Sequence, residues 1–297
     1  MNDYYFVSTE RLDIAYLDWN PQGARTAILL HGWPDSPESW NAVASILAND
    51  GYHVLAPALR GFEPTRFRKA STPRSGQHAA LGRDLLDFID VLGLAQPVLI
   101  GHDWGARSAA SACGLRVGVA SHLVMLSIGY GASPTAPSLA LQQARAFWYQ
   151  WYMATPHGAQ VLRDGREAFT RLMWDTWAPG GWYTQSDFDE AARAFGNKDW
   201  ADVVLHYYRH RWGLAEGDPA YAADEARLHP VPVLPVPTLV LHGSSDTCVH
   251  PNSSEGQEAF FTGRYDRQVL DGVGHFPQRE APQLVAETIL RFCQPQQ

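Results

Sequence analysis

Cysteine is scarce: Cys113, Cys248 and Cys293 are the only three in 297 residues. They lie far apart and form no metal-ligand spacing, which excludes a disulfide scaffold or a zinc module. The expectation is buried free thiols in a reducing cytoplasm. Long apolar runs are missing too. None approaches the roughly 20 residues that a membrane-spanning helix needs. Met1-Asn2-Asp3-Tyr4-Tyr5 has no basic segment followed by an apolar stretch, so no signal peptide is expected. Basic charge is in deficit. The 23 Lys and Arg residues are scattered against 31 Asp and Glu, giving a formal net charge of −8. Nothing resembles a stripe for nucleic acid or an anionic membrane. The expected partner is a small molecule, with the choice between monomer and homodimer open. At 45% hydrophobic and 18% charged residues, the chain is long enough for one large α/β domain or a domain with an insertion.

Short apolar runs alternate with helical patterns. Arg11 to Trp19, Thr26 to Leu30, His53 to Pro57, Pro97 to Ile100 and Leu123 to Ile128 read as strands. Ser39 to Asn49, Leu81 to Leu92 and Ala106 to Leu115 have helical spacing. Strands apolar on both faces imply a parallel sheet covered by helices. From about Ala132 to about Val233 there are helical patterns and no convincing strand. This stretch holds seven of the eleven tryptophans: Trp148, Trp151, Trp174, Trp177, Trp182, Trp200 and Trp212. The proline-rich Pro230 to Pro237 reads as a stiff return path. A strand at Thr238 to Leu241, a helix at Glu255 to Phe261, a strand at Arg267 to Leu270 and a helix at Pro282 to Phe292 follow. The expected architecture is an α/β core, residues 1–132 and 234–297, interrupted by a helical cap at 133–233. The cap leaves the sheet soon after the central strand, and so can sit over the C-terminal strand ends, where open α/β sheets bind ligands.

Gly101-His102-Asp103-Trp104-Gly105, between a strand and a helix, has the Gly-x-nucleophile-x-Gly form of a nucleophile elbow with aspartate at its centre. Carboxylate attack on an ester or amide carbonyl gives an anhydride. Attack on a saturated, electrophilic carbon gives an ester that water can later cleave. The aspartate therefore points to epoxides or alkyl halides. The second step needs a base and a carboxylate to orient it. Asp246, after the Thr238 strand, and His275, after the Arg267 strand, follow the elbow in the order nucleophile, acid, histidine. His31-Gly32-Trp33-Pro34-Asp35-Ser36 ends the first long apolar strand. Its Trp33 N–H, with that of Trp104, is the expected oxyanion hole. Trp33-Pro34 is a candidate cis bond.

These motifs together resemble the α/β-hydrolase-fold epoxide hydrolases, over nearly the whole chain from about Tyr4 to Phe292. Haloalkane and fluoroacetate dehalogenases share most of the same skeleton. The resemblance implies two cap tyrosines that protonate the epoxide oxygen. Tyr149-Gln150-Trp151-Tyr152-Met153-Ala154-Thr155-Pro156 is similar to the first family pattern and points to Tyr149. Tyr207-Tyr208-Arg209 points to Tyr208, with Tyr207 adjacent. Fluoroacetate dehalogenases would show His-Trp at positions 149 and 150. His31, Pro34, Trp148, Tyr152 and Phe276 are expected around the pocket. The implied chemistry converts an epoxide, expected to be apolar or aromatic, to a vicinal diol and needs no metal or organic cofactor. A dehalogenase using the same triad, or a ligand-binding protein without catalysis, are the alternatives. One departure stands out: Arg60-Gly61-Phe62 is followed by Glu63-Pro64 where relatives usually carry Gly.

Overall fold

The computed structural model describes residues 3–131 and 140–294. The expected boundary between residues 132 and 133 lies outside the described residues. In chain order the elements are β1 (Tyr5–Ser8), β2 (Leu12–Trp19), β3 (Arg25–Leu30), α1 (Asn41–Asn49), β4 (Tyr52–Pro57), β5 (Arg66–Phe67), α2 (His78–Val91), β6 (Val98–His102), α3 (Trp104–Leu115) and β7 (His122–Leu126). Among the described residues seven α-helices follow: α4 (Leu141–Ala146), α5 (Trp148–Ala154), α6 (Pro156–Asp164), α7 (Arg166–Trp177), α8 (Gln185–Ala194), α9 (Trp200–Arg211) and α10 (Ala222–Leu228). The chain then returns through β8 (Thr238–Gly243), β9 (Tyr265–Leu270), α11 (Pro277–Glu280) and α12 (Pro282–Phe292).

The strands form one sheet in the order β1-β2-β4-β3-β6-β7-β8-β9, with β5 paired to β2. Pairing is antiparallel from β1 to β4 and parallel from there onward. The central strands are mostly apolar and buried because both faces are covered. Ile28, Leu30, Leu99, Leu123 and Met125 point to the α2–α3 side. Ala27, Leu29, Val98, Ile100, Val124 and Leu126 point to the α1–α12 side. Leu30 pairs with Gly101 and Gly243 with Leu270, so the loops after β3, β6, β8 and β9 leave along one edge.

Of the intervening helices, α7 lies against that edge. Trp174 Nε1 donates to the Pro34 carbonyl at 2.8 Å, and His275 N donates to the Trp177 carbonyl at 3.1 Å. At the end of this segment Leu234 bridges Phe261 as the chain rejoins the core.

The expected helix over Glu255–Phe261 does not form. Two 3-10 turns, Pro251–Ser254 and Glu258–Phe260, stand in its place. Gly256 adopts φ +68° between them, and Gln257 Oε1 accepts from Tyr130 N at 2.6 Å. That glycine breaks the helical dihedrals and the glutamine is held by the neighbouring loop. The expected Ser39 helix divides into a 3-10 turn at Pro37–Trp40 and α1. β1 escapes sequence reading because its side chains are mostly exposed at the sheet edge.

All three cysteines are free and buried. Burial pushes the Cys113 and Cys293 thiols up to about 12, and Cys248 well above the ordinary value, with Asp246 and Asp103 adding to the effect. Thiolate, not thiol, is the reactive form. Ellman's reagent should find no rapidly reacting thiol in the native protein and three after denaturation.

Candidate active site

Asp103 joins β6 directly to α3 at φ 49° and ψ −114°, a left-handed conformation that costs a non-glycine residue about 1–3 kcal/mol. Its neighbours explain how the turn closes. A Cβ on Gly101 would stand 2.4 Å from Ala106 N, one on Gly105 2.1 Å from the Leu30 carbonyl oxygen, and one on Gly32 2.5 Å from Asp103 Cβ. Backbone must approach backbone at these points, and only glycine allows it. Asp103 is 7% exposed. Its Oδ1 accepts from Trp33 N at 3.1 Å. Trp104 is the first residue of α3, where backbone N–H groups lack helical partners and favour negative charge. Both expected oxyanion donors therefore flank Asp103. The Trp33–Pro34 bond is cis.

His275 Nε2 lies 4.0 Å from Asp103 Oδ2. Its Nδ1 donates to Asp246 Oδ2 at 2.8 Å, which leaves Nε2 as the lone-pair nitrogen facing Asp103. That nitrogen is buried and has no hydrogen-bond partner among the described residues. Asp246 Oδ1 accepts from Cys248 N and Val249 N at 2.8 and 2.9 Å. Burial alone would neutralise Asp246. The His275 charge and the hydrogen bonds of His242 and His275 outweigh it, so the carboxyl stays well below the usual carboxylate range. Burial pulls His275 down, but Asp246 and then Asp103 hold it above its ordinary value. His102 Nε2 donates to the His275 carbonyl at 2.7 Å. Burial, with His275 adding, pushes His102 down to about 4, so it stays neutral.

Two clamps fix the loops, one an ion pair and the other a carboxylate bound to backbone amides. Arg279 holds Asp35 through Nη2 at 2.7 Å and Nε at 3.0 and 3.1 Å, which ties the Trp33 loop to the turn after His275. Glu280 accepts from Gly274 N and Phe276 N at 2.6 and 2.8 Å, one on each side of His275.

Tyr149 on α5 and Tyr208 on α9 meet over this floor, their rings 5.4 Å apart and edge to face. Each also packs on Trp33, Tyr149 at 5.5 Å and Tyr208 at 5.6 Å. Each hydroxyl oxygen accepts an N–H: Gln150 Nε2 to Tyr149 at 2.8 Å, Trp104 Nε1 to Tyr208 at 3.2 Å. With an acceptor position filled, each hydroxyl keeps its proton to donate; that of Tyr149 also lies 3.6 Å from Cys248 Sγ. Burial raises both hydroxyls well above the ordinary tyrosine value, so both stay protonated. Tyr207 turns away. It stacks on Trp104 at 4.3 Å and covers Gly76, where a Cβ would sit 2.2 Å from its ring.

The residues expected around the pocket divide. Phe276 packs on Trp182 at 4.6 Å and His102 at 5.6 Å, and Pro34 is held by Trp174. His31 is a correction. Its Nδ1 meets the Gly32 carbonyl at 3.0 Å and its Nε2 accepts from Leu59 N at 3.0 Å, so both nitrogens brace the backbone rather than face a ligand. Trp148 is 40% exposed, and Tyr152 stacks on Phe169 at 6.3 Å. Both belong to the outer packing of α5. Sequence reading missed Gln150, which accepts from Trp212 Nε1 at 2.8 Å while donating to Tyr149. It also missed Trp177, whose ring lies 4.9 Å from Tyr149 and 5.1 Å from His275. The Glu63 departure is a docking loop. Glu63 pairs with Arg66, and its N–H donates to Ala194 at the end of α8 at 2.9 Å.

The family model described as alpha/beta hydrolase fold matches residues 27–282. The chain belongs to the α/β-hydrolase family. Within that family it is 25% identical to epoxide hydrolase A of Mycobacterium tuberculosis, over 96% of this chain and 95% of the relative. It is 26% identical to an epoxide hydrolase of Caballeronia sordidicola, over 91% and 88%. The crystal structure of a candidate epoxide hydrolase from Klebsiella pneumoniae superposes with a TM-score of 0.91, at 35% identity over 98% of this chain and 97% of that one. The α/β-hydrolase elbow depends on its glycines. Gly105→Ala should cost at least about 3 kcal/mol in urea unfolding, at the upper end of overpacking. Gly180→Ala, which meets nothing within 4 Å, should cost less than about 0.5 kcal/mol.

Proposed function

We propose that this α/β-hydrolase is an epoxide hydrolase acting through a covalent aspartyl ester, with residues 133–233 as its cap. The observation that carries the reading is the pair of buried, protonated tyrosine hydroxyls set above an elbow carboxylate. Asp103 Oδ1 is engaged by Trp33 N–H, so Oδ2 is the attacking oxygen. It displaces the epoxide oxygen from carbon as the C–O bond breaks. Tyr149 and Tyr208 hydrogen-bond that oxygen, and one of them transfers its proton to the developing alkoxide. The product is a hydroxyalkyl ester on Asp103.

His275 Nε2 then takes a proton from water, and the resulting hydroxide adds to the ester carbonyl carbon. Negative charge gathers on Oδ1, where the N–H groups of Trp33 and Trp104 stabilise it. Collapse releases the vicinal diol, protonated by His275, and the proton left on the Asp103 carboxyl passes to solvent to restore the carboxylate. The tyrosine regains its proton from solvent. Asp246 keeps the imidazole in the needed tautomer and stabilises it when charged.

A second reading rests on Trp33 Nε1, which is buried and has no hydrogen-bond partner among the described residues. An indole N–H of that kind suits a departing halide. Trp104 Nε1 is already engaged with Tyr208, which favours an oxygen leaving group. The leaving group separates the two readings because halide needs no proton.

The test is adduct formation in the His275→Gln variant, followed by intact mass. Styrene oxide should leave a stable adduct of one substrate mass on Asp103. Adding Tyr149→Phe and Tyr208→Phe should slow its formation at least about 100-fold, while a matched alkyl bromide reacts at nearly the same rate. Adduct from the bromide alone would favour the dehalogenase. No adduct from either would overturn the covalent mechanism.

A further inference from the structure

Helix α4 packs against the usual hydrophobic pattern. Its leucine, Leu141, is 87% exposed, and the side chain it buries is Gln143, 7% exposed. Apolar burial therefore does not set the orientation of this helix. A buried amide needs its hydrogen bonds made, and Gln143 makes them at both ends. Its Nε2 donates to the Cys248 carbonyl at 2.8 Å, and its Oε1 accepts from His250 N at 2.8 Å. Only one orientation of the amide satisfies both, because a flip would set oxygen against carbonyl and NH2 against N–H.

The two contacts fall on consecutive peptide units of one turn. The Cys248 carbonyl shares a rigid peptide plane with Val249 N–H, and that N–H donates to Asp246 Oδ1 at 2.9 Å. In the next peptide, the Val249 carbonyl accepts from His242 Nε2 at 2.7 Å, while the His250 N–H is the one that meets Gln143. All four polar groups of the two peptides are thus engaged, two of them by a single side chain from α4. Helix α7 meets the same loops. The carbonyls of Thr176 and Trp177 lie in its last turn, where helical partners are missing. They accept from Thr247 Oγ1 and from His275 N, the latter at 3.1 Å.

Resting on the epoxide hydrolase reading, we propose that Gln143 is a positioning residue for the second half of the reaction, hydrolysis of the Asp103 ester. It aims the Val249 amide at Asp246, and Asp246 orients the His275 imidazole that takes the proton from water. Ester formation depends far less on this turn. Asp103 stands on the elbow with Trp33 N–H. The Tyr149 hydroxyl is held by Gln150 Nε2 at 2.8 Å as well as by its longer contact with Cys248 Sγ. The rival explanation is that Gln143 only fastens α4 to the core. Its loss would then lower the melting temperature and leave both half-reactions of the folded protein at their parent rates.

The test separates the two halves in single turnovers with the enzyme in excess. Loss of styrene oxide reports ester formation, and appearance of diol reports hydrolysis. Gln143→Met keeps the side chain's length and loses its hydrogen bonds. It should slow hydrolysis about 10- to 100-fold and formation less than about threefold, so that ester accumulates and is seen by intact mass. Gln143→Glu should match it at alkaline pH, where the ionised carboxylate has no proton for the Cys248 carbonyl. Relative to the parent at the same pH, it should recover under mildly acidic conditions, where the neutral acid can donate there. Gln142→Met, on the exposed face of α4, should change neither rate. Hydrolysis within about twofold of the parent in both Gln143 variants at alkaline pH, or formation slowed as much as hydrolysis, overturns the proposal. Ester from a matched alkyl bromide and none from styrene oxide would refute the epoxide reading alone. Hydrolysis of the bromide-derived ester, read as alcohol release, then decides the role of Gln143 by the same criteria.

Discussion

Backbone crowding at Asp103 is the constraint on which the rest of the structure depends. A residue at φ 49° holds only where its surroundings leave no alternative. Here the surroundings are the carbonyl of Leu30, the amide of Ala106 and the side chain of Asp103 itself, each within 2.5 Å of where a glycine Cβ would stand. The strain has a geometric result. The carboxylate leaves the end of β6 at an angle that no regular strand or helix would give it, directly beside the loop after β3. Trp33 N–H reaches Oδ1 because β3 and β6 are hydrogen-bonded neighbours in register.

The other side chains arrive by the same edge geometry, and each is fixed by something other than its own backbone. Asp246 is held by two amides of its own turn, and it holds His275 in turn. Glu280 and Arg279 fasten the loop that carries His275. The helices between β7 and β8 contribute differently. They bring an aromatic layer in which Trp33, Tyr149, Trp177 and Tyr208 contact one another. This layer excludes water from the carboxylate and fixes the two hydroxyls. Water exclusion strengthens each hydrogen bond to a developing oxyanion or alkoxide.

Some of this was legible in the sequence for definite reasons. Buried parallel strands are continuous apolar runs, so β3, β4, β6 and β8 could be found without alignment. The elbow was legible because its crowding demands glycine at fixed offsets from Asp103. Asp246 and His275 followed from strand order, since each comes just after a strand ending on the same edge. Tyr149 and Tyr208 came from resemblance, because nothing in helical periodicity separates an aromatic facing the site from one in the core. Tyr207, Trp148 and Tyr152 show that ambiguity. What could not be read depends on tertiary pairing. His31 stands in a motif that suggests chemistry, yet both its nitrogens meet backbone. Gln150 lay inside the quoted pattern without drawing notice, because its partners Tyr149 and Trp212 meet it only in the folded chain.

The central claim is that Asp103 becomes covalently bound and is regenerated by water attacking its own carbonyl carbon. Turnover of styrene oxide in heavy-oxygen water, with the enzyme in excess for one cycle, tests it directly. The account predicts a diol without label from that first cycle and one heavy oxygen in the Asp103-containing peptide by mass spectrometry. A labelled diol from the first cycle, with Asp103 unlabelled, would mean that water attacks the epoxide itself and would contradict the account.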